Sequence, residues 1–255
     1  MPACNYKTFV INLDSSKKRW RESQKQLLNI QLESTQNNNT HVERVSAIDG
    51  KTMSWTELNR HFDAQLNRLQ YHKTLTAGEI GCYLSHRKTW SKIIEENLDF
   101  ALVLEDDFIL NGQIEKMFAT VATIDQPWHC IKLAEYPIKR KELSSLPLTD
   151  FNLVSYDKVP ARTCAQLISQ AGAKRLLRYT ERFGRPVDID LQYWWEHDLI
   201  VLGLKPYLFK INRTSISDIE TIHNRKKTKT RHFSKIYQQL YFYVENQRAI
   251  KNVHL

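Results

Sequence analysis

Three consecutive carboxylates, Glu105, Asp106 and Asp107, follow an apolar run at residues 100–104. The run has the length and continuity of a strand buried on both faces of a sheet, so the acids are expected at the carboxyl end of that strand. Ligands of open α/β sheets bind at this edge, because the strand fixes a residue and the following loop exposes it. The acidic triplet is therefore the first candidate site.

Three neighbouring carboxylates require a counter-charge. Two ionised carboxylates about 4 Å apart repel by roughly 4 kcal/mol at an effective dielectric constant near 20. Mg²⁺ or Mn²⁺ supplies that charge, because these ions take one or two protein carboxylates and fill their remaining positions with water and substrate phosphate. The pattern favours a metal site that binds a nucleotide diphosphate. The alternative is a solvated acidic turn that caps a helix.

A second pair of acids, Asp188 and Asp190, follows Pro186. Proline and acids in this order are typical of a helix N-terminus. The functional alternative makes one carboxylate a general base that removes the proton of an acceptor hydroxyl, while the aromatic residues at 193–195 offer a sugar a flat face. The sequence leaves the choice between Asp188 and Asp190 open.

Two histidines are further candidates. His86 lies on a predicted helix that leads directly into the acidic strand, and it is either a hydrogen-bonded structural residue or a functional one. His223, near the end of the chain, is a candidate metal ligand, because neutral imidazole often binds metals.

Strands and helices alternate along the chain, which predicts the α/β class. The first strand leads at once into a helix capped by residues 14–16, whose N-terminus suits a phosphate. Thr76 and Glu79 match a capping box at the start of the helix predicted over 76–97. Asp49, at the end of the second strand, either meets a ribose hydroxyl or forms a turn with Gly50. Strands are predicted over 8–13, 42–48, 100–104, 129–133, 151–154, 163–168 and 206–211; helices are predicted over 17–28, 54–69, 76–97, 113–121 and 172–179, at 191–195, and from 233 to 244. Residues 136–150 are predicted to be an irregular surface segment.

The length and composition are those of an ordinary globular protein. The 255 residues are 42% hydrophobic and 25% charged, enough for one large α/β domain. The four cysteines are far apart and lack C-x-x-C spacing, which fits a reducing compartment. We expect a cytoplasmic protein, because the sequence has neither an apolar signal region nor a run long enough to cross a bilayer.

The net charge of +9 is concentrated at the C-terminus, where residues 222–255 contain eight basic residues and one acidic residue. Apolar and aromatic residues then follow at helical spacing from 233 to 244. A basic segment beside such a helix favours binding to an anionic membrane surface, and the alternative is docking on the protein's own body. A nucleic-acid-binding protein is the competing class, but the nearly neutral body argues against it.

These motifs resemble glycosyltransferase family 25, the lipooligosaccharide glycosyltransferases of Gram-negative bacteria, which has collagen galactosyltransferase relatives. The matching segments occur in the family's order over about residues 8–215: VINLD at 10–14 with Arg19, SAIDG at 46–50, GEIGCYLSH at 78–86, LEDD at 104–107, GAK at 172–174 and PVD at 186–188.

The resemblance implies a GT-A type fold, a nucleotide-sugar-binding mixed sheet flanked by helices. The catalytic domain would span 1–221, with a donor half to about 112 and an acceptor half after it, followed by the basic tail 222–255. The implied reaction is metal-dependent and inverting, and moves a sugar, most often galactose from UDP-galactose, onto a saccharide hydroxyl of a lipooligosaccharide or lipopolysaccharide. With a lipid-linked acceptor, the protein would be peripheral to the inner membrane. A non-catalytic family member that binds nucleotide-sugars is a further alternative.

The resemblance also assigns roles to residues. Asp188 would be the base, and Asp107 would bind Mn²⁺ or Mg²⁺ directly. Asp106 would be a second metal ligand or, like Glu105, would face the ribose or a metal-bound water. The remaining donor-binding residues would be Ile11, Asn12, Arg19, Ala47, Asp49, Glu79, Ser85 and His86.

Overall fold

The structure is a computed structural model that describes residues 4–33, 42–134, 140–212 and 228–251. Its strands are β1 Tyr6–Asn12, β2 Val42–Ser46, β3 Phe100–Glu105, β4 Phe108–Leu110, β5 Cys130–Lys132, β6 Glu142–Pro147, β7 Asn152–Tyr156, β8 Ala165–Ser169, β9 Val201–Lys205 and β10 Phe209–Ile211. Its helices are α1 Lys17–Glu33, α2 Trp55–Leu58, α3 Ala64–Gln70, α4 Ala77–Glu95, α5 Ile114–Val121, α6 Gln170–Tyr179, α7 Val187–Asp190 and α8 His232–Ile250, with a 3-10 turn at Trp194–His197.

Eight strands form one mixed sheet in the order β2-β1-β3-β8-β5-β9-β7-β6. β1 pairs in parallel with β2 and β3, whereas β8 runs antiparallel to both β3 and β5. β4 and β10 form a separate antiparallel ribbon. The predicted α/β class, a mixed sheet flanked by helices, is confirmed. Strands from both predicted halves of the catalytic domain share this sheet.

The core lies on both faces of the sheet, and β3 contributes to each. Ala101 and Val103 pack in the cluster that contains Trp90 of α4, while Leu102 and Leu104 pack in the cluster that contains Phe118 of α5. This confirms a strand buried on both faces. The end of β3 is therefore held rigidly, which fixes the position of the acids that follow.

The helix predicted over 54–69 is wrong, because the chain forms α2 and α3 with a break between them. The side chain of Asp63 accepts hydrogen bonds from the backbone N–H groups of Gln65 and Leu66 and so caps a new helix. The backbone N–H of Asp63 bonds instead to the carbonyl of Phe183 in a distant segment. A contact between segments thus overrides the local helical period.

Three other predicted boundaries differ from the structure. The segment predicted as irregular contains β6, an exposed edge strand that lacks alternating apolar residues because neither of its faces is buried. The apolar strand β9 was not predicted, and of the strand predicted over 206–211 only residues 209–211 are a strand. The helix predicted to begin at Pro186 and to continue through residues 191–195 does begin there as α7, but it ends at Asp190 and a 3-10 turn follows.

No helix in the described parts of the chain has both the length and the apolar character that a membrane span requires.

Candidate active site

The acidic triplet lies where the main sheet meets the two-stranded ribbon. β3 ends at Glu105, Asp106 and Asp107 form a turn, and β4 begins at Phe108. The carbonyl of Asp107 accepts a 2.7 Å hydrogen bond from the backbone N–H of Asn212, just beyond β10. The turn is therefore fixed from both sides, as the sequence predicts for acids at the carboxyl end of a buried strand.

Glu105 is held as an ionised carboxylate. Its Oε1 atom lies 2.9 Å from Nε2 of His86 on α4 and also accepts a hydrogen bond from the Thr163 hydroxyl. Burial acts to raise the pKa of Glu105, but the His86 and Thr163 hydrogen bonds and the positive charges of His86 and Arg162 hold it below its usual value.

Asp106 is bound by two side chains from the first βα unit. Its Oδ2 atom accepts a 2.5 Å hydrogen bond from Asn12, and its Oδ1 atom lies 3.3 Å from a guanidinium nitrogen of Arg19. Asn12 is in turn held by a 2.9 Å hydrogen bond from Arg44 of β2. Asn12 and Arg19, both predicted to lie at the nucleotide, are thus joined directly to the acidic triplet.

Asp107 has a different environment. Its Oδ1 atom is buried and has no hydrogen-bond partner among the described residues. Burial, together with the negative charges of Glu105 and Asp106, raises the pKa of Asp107 to about 6. A hydrogen bond from the Cys164 thiol and the charge of Arg162 act to lower this pKa, but they offset the burial and the repulsion only in part. A carboxylate so incompletely compensated fits a hard divalent cation, whose charge would relieve both effects.

Cys82, in the turn of α4 before His86, lies close to the same acids. Its side chain is exposed in a crowded recess. The surrounding protein, followed by the charges of Glu105, Asp188, Glu79 and Asp107, raises the pKa of the Cys82 thiol well above its usual value. The thiol therefore lies within electrostatic range of four acids, all of which the sequence analysis assigned to the site.

The structure distinguishes Asp188 from Asp190. Asp190 is buried and accepts hydrogen bonds from Tyr83 at 2.6 Å and Arg185 at 3.0 Å, with His197 3.4 Å away. Burial acts against ionisation, but the charges of His197 and Arg185 hold the pKa of Asp190 far below its usual range. Asp188 is half-buried instead. Asp190 stabilises the fold, and Asp188 keeps the candidate role of base.

Residues after β1 and β2 form the predicted nucleotide side. Ile11 stands opposite Glu105 in the β1–β3 register, and the backbone N–H of Ala47 donates to the carbonyl of Asn12 at 3.0 Å. The Asp49 carboxylate accepts from the backbone N–H of Lys51, which forms the predicted turn.

Ser85 fixes the loop after β2 on α4. Its hydroxyl accepts from the backbone N–H of Ile48 at 2.8 Å and donates to the carbonyl of Gly81 at 2.7 Å. A Cβ atom on Gly81 would lie 2.5 Å from the carbonyl oxygen of Ile48 and 2.6 Å from the nitrogen of Gly50, so only glycine fits here. Ser85 thus positions the predicted nucleotide loop through backbone contacts.

Glu79 caps α4, because its carboxylate accepts from the backbone N–H of Thr76 at 2.9 Å and the Thr76 hydroxyl accepts in return from Glu79 N. This capping box was predicted. His223 lies outside the described residues, so its role as a metal ligand stays a prediction.

The sequence analysis missed two residues, one in contact with the site and one within electrostatic range of it. Thr163 bonds Glu105, but an isolated threonine before a strand carries no signal. Lys132 does carry one, because a lysine within the apolar strand β5 is unexpected. Burial lowers the pKa of Lys132, while the charges of Asp188 and Glu105 act to raise it, which brings this cation within range of both acids.

An apolar cavity of about 260 Å³ lies elsewhere, between β6, β7, β9 and the end of α8. Tyr156, Trp194 and Ile250 are among its lining residues. It contains none of the acids, so we place the functional site at the end of β3, where titratable groups converge.

Comparisons with known proteins agree on the family. The sequence profile described as glycosyltransferase family 25 (LPS biosynthesis protein) matches residues 5–191. Human procollagen galactosyltransferase 2 is 31% identical over 189 residues, which cover 71% of this chain and 29% of that protein. Human inactive glycosyltransferase 25 family member 3 is 31% identical over 155 residues, which cover 53% of this chain and 26% of that protein. The chain thus spans less than a third of the length of these relatives.

Among solved structures, a glycosyltransferase involved in glycosylation of the major capsid of PBCV-1 aligns with a TM-score of 0.45 and 10% identity, over 88% of this chain and 99% of that one. The family assignment does not depend on this alignment. It rests on the profile match, which spans β1 to α7 and includes the acidic triplet, Asn12, His86 and Asp188. This chain belongs to glycosyltransferase family 25.

Proposed function

We propose that this chain transfers a sugar from a nucleotide-sugar donor to a saccharide hydroxyl, in a metal-dependent reaction that inverts the anomeric centre. Family membership supports sugar transfer in general. The observation that carries the proposal is the buried Oδ1 atom of Asp107, which has no partner among the described residues and lies beside two further acids.

Asp107 is the proposed ligand of Mn²⁺ or Mg²⁺, and Asp106 is the second. Asp106 is already held by Asn12 and Arg19, so it presents a fixed carboxylate beside Asp107. When bound, the cation supplies Lewis-acid stabilisation of the charge that grows on the departing nucleotide diphosphate.

The protein groups around the acids orient the donor. Arg19, next to Asp106, brings a positive charge to the loop after β1, where the diphosphate is proposed to bind. Glu105 stays ionised through His86 and Thr163, and so keeps the negative field that attracts the cation. Asp49 and Ala47, on the loop fixed by Ser85, are proposed to contact the nucleoside.

Asp188 is the proposed general base. It is half-buried, and its charge acts on Cys82 and on Lys132, as the charge of Glu105 does, which places it in the electrostatic surroundings of the triplet. In the proposed step its carboxylate takes the proton of the acceptor hydroxyl while that oxygen attacks the donor sugar on the face opposite the leaving group. Attack from that face inverts the configuration.

UDP-galactose is the proposed donor, and a lipooligosaccharide or lipopolysaccharide glycan the proposed acceptor. The name of human procollagen galactosyltransferase 2 and the family's description as an LPS biosynthesis protein support these two choices. A second candidate function, a catalytically inactive binder of nucleotide-sugars, has support in the inactive human relative.

A transfer assay decides between these two functions. Purified protein, a panel of UDP-sugars and an oligosaccharide acceptor are incubated with Mn²⁺ or with EDTA, and both UDP release and glycosylated product are measured. We expect transfer with UDP-galactose and Mn²⁺ that stops with EDTA. Tight binding of the nucleotide-sugar without any product would favour the inactive binder.

The C-terminal helix α8 docks on the body through polar side chains. Its apolar face is therefore left available for a membrane, which supports a membrane-associated acceptor. Gln238 donates a 3.1 Å hydrogen bond to the carbonyl of Leu69, and Asn246 a 2.6 Å hydrogen bond to that of Asp157. The Phe242 ring between them packs on aromatic side chains of the body.

The apolar face of α8 points away from the body. Leu240 follows Gln238 by two positions, which is about 200° around the helix. Six large apolar or aromatic side chains on this face are exposed: Phe233, Ile236, Tyr237, Leu240, Tyr243 and Val244. Tyr241, at its edge, is less exposed and donates a 3.3 Å hydrogen bond to Glu196 of the body. This arrangement reverses that of an ordinary surface helix, whose apolar face is buried.

We propose that this face binds the anionic inner-membrane surface and that the protein is cytoplasmic and peripherally bound. Apolar side chains would enter the lipid boundary. The segment 222–255 has seven more basic than acidic residues, and those that reach anionic headgroups would contribute about 1 kcal/mol each; Arg231, which donates to the carbonyl of Tyr71, is not one of them. The two alternatives posed by the sequence, docking and membrane binding, are thus compatible on opposite faces of one helix.

A further inference from the structure

Cys82, His86 and Glu105 form a group with mixed ligand chemistry. Their sulfur, nitrogen and oxygen atoms all lie within 4.8 Å of one another. Cys82 and His86 are four residues apart on α4 and so lie on one face of it, while Glu105 comes from the end of β3. Two rigid elements therefore hold these three side chains together.

We propose that Cys82, His86 and Glu105 bind a zinc-class divalent cation through thiolate, imidazole and carboxylate ligands, at a site separate from the oxygen site at Asp107. Zn²⁺ takes these three ligand types in tetrahedral sites, with bonds of about 2.0–2.3 Å. Such bonds place ligand atoms about 3.5 Å apart, so the 2.9 Å between His86 and Glu105 needs only a small separation.

The two proposed metal sites differ in the softness of their ligand atoms. Thiolate and imidazole favour Zn²⁺, whereas Mg²⁺ and Mn²⁺ favour oxygen ligands such as Asp107. The proposal does not depend on sugar transfer, because it rests on the geometry of these three side chains alone.

A cation could reach these three side chains from solvent, and it would keep one coordination position open. The Cys82 side chain is exposed, so a cation can reach the group from solvent. Three protein ligands leave a fourth tetrahedral position for water or another ligand, as in catalytic zinc sites. Nε2 of His86 and Oε1 of Glu105 face each other at 2.9 Å, so a cation bound to both atoms would replace their hydrogen bond. Binding would release a proton from the thiol, because a coordinating thiol is deprotonated.

Cobalt provides a readout that does not involve activity. The metal-free full-length protein is titrated with Co²⁺ alone, and absorption is recorded in the near-ultraviolet, where cobalt–thiolate charge transfer occurs, and in the visible, where tetrahedral Co²⁺ absorbs. We expect both bands to appear in proportion to one bound ion and to disappear when Zn²⁺ is added. Titration without either band would overturn the proposal.

Variants identify the ligands. Cys82→Ser should abolish the charge-transfer band and His86→Gln should weaken binding at least about tenfold, whereas Cys4→Ser, a change to another accessible cysteine, should leave both unchanged. Asp107→Asn should retain both bands. A band that persists in Cys82→Ser, or one that is lost in a folded Asp107→Asn protein, would refute the assignment.

Discussion

The Glu105 carboxylate on β3 and the His86 imidazole on α4 are joined over 2.9 Å, although 19 residues separate them in the chain. Their contact keeps Glu105 ionised at the point where Asp107 has the opposite tendency, a pKa raised to about 6. The surroundings thus lower the pKa of Glu105 and raise that of Asp107, two positions further along the chain. A cation at the end of β3 would be attracted by the ionised Glu105 and would stabilise the ionised form of Asp107.

Asp107 should make the metal-free protein less stable as pH rises. Its folded pKa of about 6 exceeds the usual 3.8, so the folded state binds this proton more tightly than the unfolded state does. The contribution is fully present below about pH 4 and is lost as pH rises through 6, for a total of roughly 3 kcal/mol. Urea unfolding in EDTA between pH 4 and pH 7.5 measures this loss.

Asp107→Asn should remove that part of the pH dependence and stabilise the metal-free protein at pH 7.5. Asp125→Asn, which changes an exposed aspartate, is the matched control and should behave like the parent protein. Identical pH profiles for the parent and Asp107→Asn proteins would show that Asp107 is not under the strain inferred here.

Asp188 and Asp190 should separate catalysis from stability. Asp188→Asn should fold normally and lower kcat by about 10²–10⁴-fold, because only the base is removed. Asp190→Asn should cost roughly 3–5 kcal/mol of stability, since it removes the buried carboxylate beside His197 and leaves buried Arg185 with Glu196 alone. Thermal unfolding and transfer assays on both variants test this, and an active Asp188→Asn enzyme would move the base elsewhere.

Gly81→Ala should disturb the nucleotide loop. Its new methyl group would meet the backbone of Ile48 and Gly50, and overpacking of this kind costs about 1–3 kcal/mol. We expect a lower melting temperature and a raised KM for the donor. Ser85→Ala, which removes two hydrogen bonds without adding bulk, should have a smaller effect of about 1 kcal/mol. Unchanged donor KM in both variants would remove this loop from the binding site.

The exposed face of α8 should bind anionic vesicles. Replacing Ile236 and Leu240 together by Ser removes apolar side chains that touch no core, and should weaken binding by about tenfold or more. Sedimentation with vesicles that contain phosphatidylglycerol measures the loss. The double change of Gln239 and Gln247 to Ser, two exposed polar positions on the same helix, is the control.

If the exposed face of α8 binds a membrane, the protein should prefer a lipid-linked acceptor to a free oligosaccharide. The Ile236/Leu240 variant should lose activity on a lipid-linked acceptor but keep it on a free oligosaccharide, as should deletion of the chain after Ile222. Equal loss on both acceptors would make the tail structural. A steeper salt dependence on duplex DNA than on vesicles would instead favour a nucleic-acid-binding surface.

Local patterns predicted the elements that carry the chemistry. The apolar run of β3, the Thr76–Glu79 capping box and the acids after the strand are signals between near neighbours, and each is confirmed. The contacts that differentiate the acids are not local. Asp106 meets Asn12 across 94 residues, and Glu105 meets Thr163 across 58, so the sequence alone could not tell which acid is compensated least.

The same limit explains the error at 54–69 and the question that the sequence left open at α8. The helix over 54–69 is broken by a contact with Phe183. α8 buries its polar side chains because the body offers carbonyl groups at Leu69 and Asp157. An amphipathic period predicts that a helix has two faces. It does not tell which face the body binds.

Calorimetric titration of UDP into the protein, with Mn²⁺ and with EDTA, tests the central claim most directly, since it asks whether Asp107 couples a cation to a nucleotide diphosphate. We predict that the parent and Asp125→Asn proteins bind UDP tightly only with Mn²⁺, and that folded Asp107→Asn shows no gain from the metal. UDP binding of equal strength with Mn²⁺ and with EDTA, unchanged by Asp107→Asn, would contradict the account.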